Sequence, residues 1–146
     1  MVTQGSAGEC SLRYGSDAMD FAKVTAMLAT AFWCEGISEL EVRRGAENSA
    51  LVVGAFLGGE QVGYARAISD KTRFAYILDV YVDERFRRRG IGQTMVRGIL
   101  GHEDLKDVYQ WLLITKDAHG VYEKLGFRVT ARPGDWMEIR TPRPRR

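Results

Sequence analysis

Residues 85–93 combine cationic side chains with glycines at a spacing suited to a phosphorylated ligand. Four arginines precede the glycines, and these are Arg85, Arg87, Arg88 and Arg89. Gly90-Ile91-Gly92-Gln93 follows, at the start of a helical pattern. The first N–H groups of a helix have no intrahelical partner and carry the positive end of the helix dipole. Because glycine lets the backbone approach a phosphate closely, this segment predicts a pyrophosphate site.

Asp79 is the only acid in the apolar run of residues 74–82, where an unpaired carboxylate would be costly. Either it contributes to chemistry, as a base or as a group that binds a substrate, or it has a structural role, capping a nearby loop or pairing with an arginine such as Arg66. Strand alternation directs it away from the side on which Tyr76 and Leu78 lie, unless a β-bulge changes its direction. Both interpretations stay open.

Three further side chains could take part in chemistry, but each has a simpler interpretation that we favour. Glu35 reads as an exposed acid in a loop, and His119 as a surface residue at a helix start. Cys34 reads as a small buried apolar group.

Hydrophobic periodicity predicts the elements that position these residues. Helices are predicted at residues 17–36, 38–48, 91–101 and 118–125, with Asp17 as the N-cap of the first and Ser38 opening the second. Strands are predicted at residues 10–14, 50–57, 61–68, 74–82, 108–115, 127–130 and 136–140, with a hairpin turn at Gly58-Gly59. This order predicts an α/β fold, a mixed and twisted sheet of six to seven strands with helices on both faces.

The 146 residues are predicted to form one domain, 1–146, in which residues 1–8 and 142–146 are expected to be mobile. A net charge of +2 favours a local basic site over a surface that coats nucleic acid. The two cysteines and two histidines lack metal-ligand spacing, so no metal is expected. No apolar run suits a membrane span or a signal peptide, which predicts a cytoplasmic protein.

The arginine–glycine segment carries a family resemblance. Arg87-x-x-Gly90-x-Gly92 resembles the (Gln/Arg)-x-x-Gly-x-(Gly/Ala) signature of the GNAT acetyltransferase superfamily, whose expected place is after an apolar strand. The resemblance implies acetyl-CoA as co-substrate, with the pantetheine arm along the strand and the pyrophosphate at the glycines. The residues implied to bind it are Val80, Tyr81, Val82, Arg87, Arg88, Arg89, Gly90, Ile91, Gly92 and Gln93.

A second motif supports the resemblance. The run from Ala118 through Tyr122 to Gly126 and Phe127 is similar to a downstream GNAT signature. In the family the matching tyrosine protonates the leaving thiolate, which implies a catalytic role for Tyr122. Many members have Asn where this chain has Thr115, whose hydroxyl would then contact the pantetheine.

The resemblance also gives Asp79 a role, because diamine acetyltransferases of this superfamily have a similar acid that helps to hold the acceptor. The function implied is transfer of acetyl from acetyl-CoA to a primary amine by direct attack in a ternary complex. We expect a small-molecule acceptor, since no peptide-binding insertion is visible. The whole chain resembles the uncharacterised bacterial members of the family.

Two alternatives stay open. One is a GNAT fold that binds acyl-CoA without catalysis. The other is a module that binds nucleic acid through its basic segments, although the sequence has no RNA- or DNA-binding signature. A homodimer also stays open, because relatives often dimerise.

Overall fold

The structure is a computed structural model that describes residues 2–3 and 10–146. Its strands are β1 (Val2–Thr3), β2 (Cys10–Tyr14), β3 (Leu51–Leu57), β4 (Glu60–Ser69), β5 (Phe74–Val82) and β6 (Gln110–Leu112). Its helices are α1 (Phe21–Leu28), α2 (Glu39–Glu47), α3 (Ile91–Leu100) and α4 (His119–Glu123). Of residues 1–8, for which mobility is predicted, all but Val2–Thr3 lie outside the described part of the chain.

The strands form one sheet in chain order, and the sheet is mixed as predicted. Strands β1 to β5 pair antiparallel with their neighbours, and β6 pairs parallel with β5. Five strands, β2 to β6, form the body of the sheet, and β1 adds two residues at one edge. A parallel neighbour needs a crossover connection, which α3 supplies between β5 and β6.

Helices cover both faces of the sheet, which confirms that prediction. On one face α3 packs against the strands through side chains such as Ile99, and on the other α1 packs through Leu28. Successive residues of β3 serve the two faces, so Val53 joins the α3 side and Val52 the α1 side. The central strands are therefore apolar at nearly every position.

The starts of α1 and α2 follow capping side chains. Ser38 Oγ accepts a hydrogen bond from the backbone N–H of Glu41 at 3.2 Å and caps α2, which confirms that this helix opens at Ser38. The predicted N-cap Asp17 is wrong, because Asp17 lies in a short 3₁₀ turn (Ser16–Ala18). Asp20 caps α1 instead, accepting a hydrogen bond from the backbone N–H of Lys23 at 3.2 Å.

The C-terminal part of the chain differs from the prediction. β6 has three residues, and residues 127–130 and 136–140 form no strand. Met137 and Ile139 are 95% and 96% exposed, so their apolar character does not reflect burial in the sheet. Apolar residues form a strand only where a neighbouring strand supplies hydrogen bonds and side-chain contacts. The predicted count of six to seven strands is therefore not confirmed.

Residues 142–146 follow without a helix or strand. Two of their arginines, Arg143 and Arg146, contact Phe32 and Glu41 on the far side of the molecule from α3. No helix among residues 2–3 and 10–146 is long and apolar enough to cross a membrane.

Candidate functional site

A β-bulge interrupts the pairing of β4 and β5 at Asp79. Tyr64 pairs with Tyr81 and Arg66 pairs with Leu78, so two residues of β5 oppose one residue of β4. The backbone φ of Asp79 is 56°, in the left-handed region that Asp tolerates better than most residues. Asp79, the carboxylate singled out from the sequence, therefore suits the backbone conformation that the bulge requires at this position.

The bulge changes which side chains of β5 face each side of the sheet. Before the bulge Ile77 packs on the α3 side, and after it Val80 and Val82 do so. Asp79 and Tyr81 face the opposite side, toward α1 and the segment that follows it. The sequence left the direction of Asp79 open, and the structure shows that the bulge turns it toward this side.

The N-terminus of α3 lacks the side-chain cap that α1 and α2 have. Its N-cap is Gly90, with a φ of 77°, and no side chain in the described part of the chain accepts a hydrogen bond there. A Cβ added at Gly90 would meet no atom within 4 Å. The first turn thus has no side-chain cap from residues 10–146, and space is open beside Gly90, at the positive end of a ten-residue helix. An anion fits this position where a capping side chain would otherwise stand.

Gly92 lies in the first turn of α3, directly against β5. A Cβ added at Gly92 would lie 3.6 Å from Val82 Cγ2 and 4.0 Å from Val80 Cγ1. The open helix end and the two valines are therefore adjacent. The structure thus brings together the predicted phosphate site and the predicted path of the pantetheine arm.

Arg85 is an exposed residue whose guanidinium is engaged by two carboxylates. Its guanidinium donates hydrogen bonds to Asp83, at 2.8 Å to Oδ2, and to Glu60. The hydrogen bond from the Arg85 side chain is the main cause that holds the pKa of Asp83 well below its usual range. Lys23 Nζ also contacts both carboxylates. Arg85 is therefore neutralised by acids and serves the fold.

The other three arginines divide into one that contacts β5 and two that stay open. Arg87 Nε donates to the carbonyl oxygen of Val82 at 2.9 Å, and its guanidinium lies 5.0 Å from the Tyr81 ring centroid. Arg88 and Arg89 are exposed and form no ion pair with any carboxylate among residues 10–146. Arg88 and Arg89 are therefore open to a phosphate, and Arg87 keeps its Nη groups free of hydrogen bonds within residues 10–146.

Asp79 uses both carboxylate oxygens in contacts with the protein. Oδ2 lies 2.8 Å from Arg66 Nε, and Oδ1 accepts a hydrogen bond of 2.8 Å from the indole N–H of Trp33. Arg66 continues the network through Nη1, which lies 3.2 Å from Ser49 Oγ and 3.3 Å from the Gly45 carbonyl oxygen. The pairing with Arg66, one of two interpretations of the sequence, is confirmed. The contact with Trp33 was missed, because no local pattern joins residues 46 positions apart.

Aromatic rings surround Asp79 on the α1 side. The Trp33 ring centroid lies 6.4 Å from that of Tyr81 and 5.1 Å from that of Phe32. The Tyr81 hydroxyl is 2.8 Å from Thr30 Oγ1. Beside Asp79, Phe32 and Trp33 from the segment after α1 and Tyr81 from β5 therefore form an aromatic wall, the name used below for these three residues.

For Cys34 and Glu35, in the segment after α1, the structure agrees with the simpler interpretation of each residue. Cys34 is buried, its Sγ lies 3.3 Å from the Leu28 carbonyl oxygen, and burial raises the pKa of its thiol to about 11. Glu35 is exposed and forms no ion pair within the described residues. Cys34 is therefore a buried apolar group, as favoured from the sequence.

Tyr122 and Thr115 line one cavity of about 300 Å³ between β6, α4 and residues 127–130. The Tyr122 ring packs edge-on against Phe127 at 5.9 Å, and burial raises the pKa of its hydroxyl. Tyr122 belongs to the same apolar cluster as Val80 and Val82. Thr115 Oγ1 accepts a hydrogen bond of 3.0 Å from the backbone N–H of Ala118, so it fastens the start of α4.

His119 also lines this cavity, where it is exposed as its simpler interpretation requires. The candidate site thus has two sides, separated by β5. The open end of α3, the valines and Tyr122 lie on the α3 side, and Asp79 with the aromatic wall lies on the α1 side.

Comparison with known proteins agrees with this architecture. The model of the acetyltransferase (GNAT) family matches residues 21–127. A protein described as belonging to the GNAT family, from Xanthomonas campestris pv. campestris, has 32% identity and a TM-score of 0.82, covering 90% of this chain and 94% of its own. No curated protein matches the chain.

Two more distant structures share the fold. A predicted acetyltransferase from Clostridium acetobutylicum, described with acetyl-CoA, has 18% identity and a TM-score of 0.68, over 90% of this chain and 96% of its own. An aminoglycoside acetyltransferase from an uncultured soil metagenomic sample has 22% identity and a TM-score of 0.66, over 92% and 99%.

Proposed function

This chain belongs to the GNAT acetyltransferase family, and from that premise we propose that it transfers acetyl from acetyl-CoA to a primary amine. The observation that carries the proposal is the uncapped N-terminus of α3 beside the bulged strand β5. One provides a place for a pyrophosphate, and the other leads from it to Asp79 and the aromatic wall. The two sides of the site then serve the two substrates.

The residues at the helix end fit acetyl-CoA. The N–H groups that follow Gly90 would bind the pyrophosphate, and Arg88 and Arg89 are free to add charge near the phosphates. Val80 and Val82 offer an apolar strip beside Gly92 for the pantetheine arm. Thr115 keeps its O–H as a donor, because its oxygen only accepts from Ala118.

Acetyl transfer requires three catalytic contributions from the protein. The acceptor amine must lose a proton, since a lysine-like amine has a pKa of about 10. The thioester carbonyl must be polarised, and the leaving thiolate must receive a proton. We assign protonation of the thiolate to Tyr122, because its raised pKa keeps the hydroxyl protonated at neutral pH.

We assign Asp79 to the acceptor side. Each carboxylate oxygen has two lone pairs, and Arg66 and Trp33 use one on each oxygen. The remaining lone pairs can accept a hydrogen bond from an amine and, as a base, its proton. The position of Asp79 at the bulge, with its side chain largely buried, supports this assignment. Its ion pair with Arg66 also supports a structural role in holding β5 against β4.

The test is a titration with acetyl-CoA followed by turnover of an amine panel, with thiol release as the readout. We expect heat of binding at micromolar concentrations and thiol release with at least one small primary amine. Absence of binding well above micromolar acetyl-CoA would reject the proposal. Binding without turnover over a broad panel would instead identify an acyl-CoA-binding protein, and salt-dependent binding to duplex alone would identify a nucleic-acid module.

We also propose a small molecule as the acceptor. The support is the short segment between α1 and α2, residues 29–38, which leaves no peptide-binding insertion next to Asp79. The similar aminoglycoside acetyltransferase acts, by its name, on a small molecule.

A further inference from the structure

The C-terminal tail, residues 142–146, docks on α2 and on the segment after α1 that contributes Phe32 and Trp33 to the aromatic wall. Arg146 donates two hydrogen bonds to the Glu41 carboxylate, at 3.0 Å from Nε to Oε1 and 2.7 Å from Nη2 to Oε2. The Arg146 side chain is only 16% exposed, and its Cβ lies 3.2 Å from a Cβ added at Gly36. Two parallel bonds between a guanidinium and a carboxylate fix orientation as well as position. The end of the chain is thus fastened to α2.

This docking places Arg143 at the aromatic wall. Its Nη1 donates a hydrogen bond of 2.9 Å to the carbonyl oxygen of Phe32. Lys116, from the segment before α4, reaches the same residue from another direction, with its Nζ 4.5 Å from the Phe32 ring centroid. Two cations from separate segments of the chain therefore meet at one exposed aromatic residue beside the Trp33–Asp79 hydrogen bond.

The two cations have no acid to neutralise them. Neither Lys116 nor Arg143 forms an ion pair with a carboxylate within residues 10–146. The neighbouring segments contain two acids, Glu35 and Asp117. Both are exposed, and neither forms an ion pair within residues 10–146. Asp79 is engaged with Arg66, so its charge is already matched. Two unmatched positive charges thus border the side of the site assigned to the acceptor.

We propose that the acceptor amine carries an anionic group, a carboxylate or a phosphate, which Lys116 and Arg143 bind at Phe32. This inference rests on the proposed function and deepens it by naming a substrate class. Arg143 uses one of its donors on the Phe32 carbonyl and has four left for the anion. The apolar part of the acceptor packs against the aromatic wall, and its amine points toward Asp79. Arg146 and Glu41 act as positioning residues, because they hold Arg143 in place.

The experiment compares matched amines that differ in one group: a carboxylate-bearing amine, a phosphate-bearing amine and a neutral analogue of similar size. We expect a lower KM for one or both anionic amines than for the neutral one. Lys116→Ala and Arg143→Ala should each raise the KM for the anionic amine about tenfold. They should leave the KM for the neutral amine and the Kd for acetyl-CoA unchanged. Whichever anionic amine responds identifies the group that is bound.

The positioning residues have their own test. Glu41→Arg and Arg146→Glu should each raise the KM for the anionic amine, and the charge-swapped double variant should restore it. Arg145→Ala is the matched control, because Arg145 is an exposed tail arginine without an ion pair among residues 10–146. A KM that rises in the single variants and stays raised in the double variant would contradict the positioning role.

The two proposals fail in different ways. If acetyl-CoA binds and neutral amines are acetylated as efficiently as anionic ones, the inference is overturned and the proposed function stands. Unchanged KM values in both Lys116→Ala and Arg143→Ala would overturn it as well. If acetyl-CoA neither binds nor is consumed with any amine, the proposed function itself fails.

Discussion

Arg66 Nε lies 2.8 Å from Asp79 Oδ2, and this ion pair joins β4 to β5 where their register shifts. Both side chains are largely buried, with 17% and 12% of their surfaces exposed. The pair has two consequences for the site. It stabilises the bulge that turns Asp79 toward the aromatic wall, and it supplies the positive charge that keeps a carboxylate in an apolar strand.

Replacement of Asp79 should separate its structural and chemical roles. Asp79→Ala leaves Arg66 and the Trp33 N–H without their acceptor, so we expect a loss of roughly 2–3 kcal/mol in unfolding free energy. Urea denaturation measures this loss. Asp79→Asn keeps an oxygen acceptor and should lose less stability. If Asp79 is the base, the Asn variant binds acetyl-CoA normally but has a lower kcat. An Asn variant with full kcat removes Asp79 from catalysis.

Gly92→Glu should abolish the binding of acetyl-CoA in a calorimetric titration. The substitution adds a negative side chain in the first turn of α3, where the pyrophosphate is expected. Gly92→Ala is the control, because its Cβ would make only an ordinary contact with Val82 at 3.6 Å. The Ala variant should fold and bind. Equal binding by both variants would move the pyrophosphate away from this helix.

The arginines before α3 should differ in their effect on coenzyme affinity. Replacing Arg88 and Arg89 together by Ala should weaken acetyl-CoA binding about tenfold and reduce its dependence on salt. Arg85→Ala should leave the Kd within about twofold, because Arg85 is neutralised by Asp83 and Glu60. The opposite order of effects would show that the fold does not hold Arg85 away from the ligand.

Tyr122→Phe should leave the Kd for acetyl-CoA unchanged and lower kcat about a hundredfold. Because burial raises the pKa of Tyr122, the hydroxyl stays protonated through neutral pH, and its ionisation should cause no loss of activity below about pH 10. A pH profile of kcat in both proteins checks this. Equal turnover in the Phe variant would show that Tyr122 only fills space beside Phe127.

Cys34 should react slowly with thiol reagents in the native protein at pH 8. Burial raises the pKa of its thiol to about 11, whereas an unfolded thiol has a pKa of about 8.5. The pKa of Cys34 is higher in the folded protein than in the unfolded chain. The contribution of the protonated Cys34 thiol to the unfolding free energy is therefore fully present below about pH 8.5, and it is lost as the pH rises toward 11. Denaturation midpoints of the native protein and Cys34→Ala, compared across this range, isolate the effect. Rapid labelling at pH 8 would contradict it.

Local interactions explain which elements could be predicted. Ser38 caps α2 and Gly58-Gly59 turns the hairpin, because a cap or a turn depends on residues within a few positions. The last two strands were predicted wrongly at residues 127–130 and 136–140, because strand formation needs a partner strand that no local pattern supplies. Asp20 replaced Asp17 as the cap of α1 because several acids near a helix start are equivalent by type alone.

The sequence by itself determined the place of the uncapped helix start at which we propose the anion site, since Gly90 and the start of α3 are adjacent in the chain. Only the tertiary structure decided which arginines stay free, where Asp79 points and where the tail docks. The physical reason is distance along the chain, because Asp79 meets Trp33 across 46 positions and Arg146 meets Glu41 across 105. Side chains that far apart in sequence can form a contact only when the folded sheet and helices bring them together.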